Sequence, residues 1–171
     1  MVNAIRKTGR EVERMAFANR IKFIAETEYM WDGVKDDKGR FLLQRLGETG
    51  RQYNLNIWAN KVKWEIETEC NPDDIFIIDD WRYVNEAEVF ENDDRYNVIK
   101  INIVRENNEN SLPEHLASDV SEHGLDNYAD FNYIVYNNSD LEGFKCQAED
   151  VYLMLQWIAD ERLCSKRELS A

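Results

Sequence analysis

Apolar residues recur along this chain at two spacings, and the spacing changes near residue 71. Before that point Phe17, Ile21, Ile24 and Ala25 share one face at the 3.6-residue period, which predicts a helix over about 17 to 30. Phe41, Leu42 and Leu46 predict a short second helix, stopped by the glycines from Gly47 to Gly50. Leu55, Trp58, Ala59, Val62 and Ile66 keep helical spacing to about Cys70. Asn71-Pro72 ends that helix, because proline disfavours a helical residue before it.

Beyond residue 71 the pattern shortens. "IFII" (75 to 78) is a continuous apolar run of strand length, predicting a central strand buried on both faces. A helix over about 84 to 92 follows, then a β-branched strand, "NVIKINIV" (97 to 104). Residues 105 to 126 are polar and predict an exposed, lid-like excursion. "FNYIVYN" (131 to 137) is a third strand; Ser139 can cap a short helix, and Val151, Met154, Leu155 and Ile158 mark a final helix. Strands alternating with helices predict one α/β domain over 1–171, with a parallel sheet flanked by helices.

Charge narrows the partners. The net charge is -13, which opposes a general nucleic-acid surface. Cys70, Cys146 and Cys164 are odd in number and irregularly spaced, so no disulfide framework is expected. No apolar run reaches the ~20 residues that cross a membrane, and the first residues lack a signal-peptide core. The expected location is cytoplasmic.

Candidate chemistry gathers at strand ends. Ligands of open parallel sheets bind beyond the carboxyl ends of the strands. Asp79, Asp80 and Arg82 stand there on the first predicted strand, Arg105 on the second and Asn137 on the third. Acids also favour helix N-termini, so a capped helix start explains the same residues equally well. Lys35, Lys38, Arg40, Arg45 and Arg51, with Gln44 and Trp58, form a basic stretch able to hold phosphate or stack on a base. A solvated helix face explains each of these cations too, and Trp58 fits the apolar stripe of a core. His115 and His123 are the only histidines and lack the further ligands a metal site needs.

In order, these pieces resemble the bacteriophage deoxynucleoside monophosphate kinases, which are P-loop phosphotransferases. The matching stretches are "MAFANRIKFIA" (15 to 25), "KDDKGRFLLQRLGETGRQYNLNIWA" (35 to 59), "FIIDDWRYVNEAEVF" (76 to 90), "IKINIVR" (99 to 105), Ser121-Glu122 and "DFNYIVYNNSDLEGF" (130 to 144). The resemblance implies a three-layer P-loop-kinase-like fold that transfers the γ-phosphoryl of ATP, with Mg²⁺, to a nucleoside or deoxynucleoside monophosphate. It implies monophosphate-binding helices over about 31–70, with Arg40, Gln44, Arg51, Trp58, Asn85 and Glu86 as substrate-binding residues. Asp80, Arg82 and Arg105 would be the catalytic set.

The sequence departs from that family in one respect: it contains no G-x-x-x-x-G-K-[ST], the loop whose backbone N–H groups cradle phosphates. Relative to the family, the first strand is missing as well, and residues 106 to 144 hold no Lys or Arg. The chain is thus expected to be either a piece lacking that strand and loop, or a non-catalytic nucleotide-binding or partner-binding protein on the same fold. A missing central strand would leave unpaired edges for a homodimer or strand exchange to cover.

Overall fold

The computed structural model describes residues 12–71, 74–105 and 123–153. In chain order these form β1 (Val12–Met15), α1 (Asn19–Tyr29), α2 (Asp37–Tyr53), α3 (Ile57–Glu69), β2 (Ile75–Ile78), α4 (Val84–Glu91), β3 (Ile101–Val104) and β4 (Tyr133–Tyr136). A fifth helix, α5, covers residues 141–153. The protein is a mixed α/β fold, and each strand pairing among the described residues is parallel. No helix among them is long and apolar enough to cross a membrane.

Among the described residues the strands do not join into one sheet. β1 pairs with β2, with Val12 opposite Ile75 and Met15 opposite Ile78. β3 pairs separately with β4, with Ile101 opposite Tyr133 and Val104 opposite Tyr136. β1 escapes the apolar pattern because its central residues, Glu13 and Arg14, are charged and exposed, while Val12 and Met15 are buried.

β2 has helices on both faces, as a parallel strand requires. Phe76 and Ile78 pack on a core built from Phe17 and Ile21, from Trp58, Val62 and Ile66 of α3, and from Phe90 of α4. Ile75 and Ile77 turn the other way, onto Val12 and Tyr152 of α5. The expectation of a strand buried on both faces holds only in part: all four residues of β2 are half-buried. Among the described residues β2 pairs along one edge alone.

The second predicted helix does not stop at its glycines. α2 runs unbroken from Asp37 to Tyr53, capped by Asp36, whose side chain accepts the Gly39 N–H at 2.8 Å. The glycines serve close approach instead. A Cβ at Gly50 would overlap the Trp58 indole, and that indole donates to the Gly47 carbonyl at 2.9 Å. The second strand is shorter than predicted, beginning at Ile101: the Lys100 N–H just before it donates to the Asn132 side chain at 2.7 Å, and the Lys100 side chain is buried between Glu91 and Asp130 at 2.5 and 2.6 Å. At the last helix the cap is Asp140, which accepts the Gly143 N–H at 2.9 Å, and not Ser139. Residues 106 to 122 of the predicted excursion, and Met154, Leu155 and Ile158, lie outside the described residues.

Candidate functional site

The loop leaving β2 carries Asp79, Asp80, Trp81 and Arg82, and each side chain or backbone is tied differently. Asp80 turns back toward β1: one carboxylate oxygen accepts the Phe17 N–H at 2.8 Å and the other the Ala18 N–H at 2.9 Å. Ala18 is the N-cap of α1 and has no side-chain cap of its own. A carboxylate from 62 residues away in sequence therefore satisfies donors at this helix start. Asp79 pairs with Arg14 Nε at 2.6 Å, and that hydrogen bond holds the Arg14 guanidinium above its ordinary pKa.

Trp81 joins this loop to the segment before β4. Its ring meets Tyr128 and Phe131 edge-on, with centroids 5.2 and 5.7 Å away, and its Nε1 donates to the Tyr83 carbonyl at 2.6 Å. Gly124 lies so close to Arg82 that any Cβ there would overlap the Arg82 carbonyl oxygen. Between the two walls lies a cavity of about 360 Å³, lined by Asp79, Asp80, Trp81, Arg82, Gly124, Leu125 and Asp126. That volume falls within the range of small-molecule sites, roughly 300–1,000 Å³. Asp126 contacts His123 Nδ1 at 2.7 Å.

Of the candidate residues read from sequence, Asp79, Asp80 and Arg82 line this cavity. Glu86 stands one turn on, only 4% exposed, and its carboxylate accepts the N–H groups of Arg82 and Tyr83 at 3.0 and 3.1 Å. It thus caps the start of α4. Burial pushes its carboxyl pKa up, against the pull of those two donors. Arg51 stacks over the Tyr83 ring at 4.1 Å and is the member of the basic stretch that reaches this loop. Asn85 ties α4 to the α2–α3 connection, donating to the Leu55 carbonyl at 3.1 Å and to Asn56 Oδ1 at 2.9 Å.

The remaining predicted residues lie elsewhere. Trp58 is buried in the core, as its apolar spacing implies. Arg40 is exposed near the start of α2 and donates to the Lys35 carbonyl at 3.1 Å, while Gln44 is half-buried on the same helix. Arg45 pairs with Glu48 at 2.8 Å on an open helix face. Arg105 is exposed just past β3. The wall of Gly124, Leu125 and Asp126 was not singled out from the sequence. Its one local signal is the glycine, whose need for close approach depends on a backbone some forty residues earlier.

The acids at this rim do not fit a magnesium site. Asp80 has both oxygens committed to backbone N–H groups, and Asp79 is paired with Arg14. Among the described residues no group of three or more His, Cys, Asp or Glu could hold a metal ion. What the cavity does offer is carboxylate acceptors, one arginine and an apolar side from Trp81 and Leu125. Comparison with family models finds no match for this chain, and a search of curated proteins finds no relative.

Proposed function

We propose that the protein is a nucleotide-binding protein of the monophosphate-kinase type, taking a deoxynucleoside monophosphate at the cavity beyond β2. One observation carries the reading: a cavity of ligand size opens at the carboxyl end of a parallel strand, where Asp80 and Arg82 stand. The resemblance of the ordered sequence pieces to the phage deoxynucleoside monophosphate kinases supports the choice of ligand, and a three-layer kinase-like fold belongs to the same reading. Arg51, stacked beside the loop, supplies a further cation for a phosphate.

Phosphoryl transfer is a separate matter. It depends on positioning the donor phosphates and neutralising their charge. This sequence contains no Walker loop, and the acids of the rim do not fit a metal ligand set. The chain by itself is therefore expected to bind the monophosphate without turning over ATP. Isothermal titration with each common deoxynucleoside monophosphate, beside a coupled ADP-release assay, tests both parts. Saturable heat with at least one nucleotide and no ADP release is the expected result. Absence of heat with all of them at millimolar ligand overturns the reading, and ADP release overturns its non-catalytic half.

A further inference from the structure

The cavity beyond β2 is walled by three carboxylates, from Asp79, Asp80 and Asp126, against one arginine, Arg82. Asp80 is committed to the start of α1, its two carboxylate oxygens accepting the Phe17 and Ala18 N–H groups. Asp79 and Asp126 each touch one cationic or basic partner, yet their side chains remain 41% and 59% exposed, with acceptor capacity to spare. A phosphate placed among them would meet more negative than positive charge, on a protein whose net charge is already -13. A base amino group or a deoxyribose hydroxyl meets the opposite situation, because a carboxylate accepts from both. Leu125 and Trp81 add the apolar surface that a flat ring requires.

We infer that the cavity takes the uncharged, donor-bearing part of the nucleotide, its base or sugar, and that the phosphate lies outside it. The inference rests on the nucleotide reading above and deepens it. Arg51, over the Tyr83 ring, is the cation of the adjoining surface toward which the phosphate would point.

Asp126→Asn separates the two placements by sign. The substitution is nearly isosteric at an exposed side chain, and a thermal melt checks that the fold is kept. If a donor-bearing group sits in the cavity, losing a charged acceptor weakens binding by about tenfold. If phosphate sits there, losing a negative charge tightens it. Calorimetry would be run on wild type and D126N with a deoxynucleoside monophosphate, the matching deoxynucleoside without phosphate, and inorganic phosphate. The expected results are binding of the deoxynucleoside by wild type, weaker binding of both nucleoside and nucleotide by D126N, and no competition from inorganic phosphate. Unchanged or tighter nucleotide binding by D126N, or displacement of the nucleoside by phosphate, overturns the placement while leaving nucleotide binding intact. If wild type binds no nucleotide at all, the parent reading fails and the placement fails with it.

Discussion

Asp80→Ala tests the structural job of the acid that the sequence marks most strongly. The wild-type carboxylate accepts two backbone N–H groups, from Phe17 and Ala18, at 2.8 and 2.9 Å in a half-buried setting. A hydrogen bond to a charged group contributes ~1.5–3 kcal/mol. Part of the site is open to water, so the lower end applies and the pair comes to about 3 kcal/mol. Loss of the Asp80 charge also relieves the buried Glu86 carboxyl, whose pKa it helps to raise, which makes that figure a ceiling. For a domain of this length ~1 kcal/mol moves Tm by about 2–4 °C, so D80A should melt roughly 6–12 °C lower. Asp80→Asn keeps one acceptor oxygen and should recover about half of the loss. Urea unfolding followed by tryptophan fluorescence gives both values, provided the m-value is unchanged. D80A within ~0.5 kcal/mol of wild type would refute the argument, because surface substitutions fall in that range. Asn as damaging as Ala would refute the two-acceptor account specifically.

Two further outcomes follow from packing and burial. Gly50→Ala should destabilise by about 1–3 kcal/mol despite better helix propensity, because its methyl would overlap the Trp58 indole; Gly47→Ala, with contacts no closer than 3.3 Å, should come out near neutral in the same melts. Glu86 has a pKa raised mainly by burial, so its contribution is full below the unfolded carboxyl range and is lost as pH rises through the raised folded value. Glu86→Gln removes that titration and keeps an acceptor for the two N–H groups. Its stability relative to wild type should therefore grow as pH rises above the ordinary carboxyl range in paired urea titrations, and a flat or falling difference would contradict the burial argument.

How much of this was legible depends on where each signal resides. α1 and α3 follow from apolar period, since each presents its buried residues at helical spacing, and β2 follows from its continuous apolar run. α2 outruns the helix its sequence predicts, because glycine is a poor helix former and its local signal is a stop. Its continuation past Gly47 and Gly50 depends on Trp58, a partner on another helix that no local window contains. β1 was missed because its charged centre hides it and its partner lies more than sixty residues away. At the site, the polar turn at Asp79 to Arg82 was readable as a strand end. Its opposite wall was not, since residues 123 to 126 are polar and read as solvent-facing. Trp81, Tyr128 and Phe131 fold that wall inward, and three separated aromatics carry no periodic signal.

The division of the strands into two separate pairs bears on how the chain assembles. Val12 must find Ile75, whereas Ile101 must find Tyr133, so one closure spans about twice as much chain as the other. Each doubling of a flexible loop adds only ~0.6 kcal/mol of closure entropy, a modest handicap for β1–β2. Helices α1, α2 and α3 form within that longer loop and shorten the effective search before the strands meet. With no ladder joining β2 to β3 among the described residues, neither pair has to wait for the other as a template. The arrangement favours two nuclei over one, with the cavity taking shape only when the Trp81 loop of the first docks on the Tyr128 segment of the second.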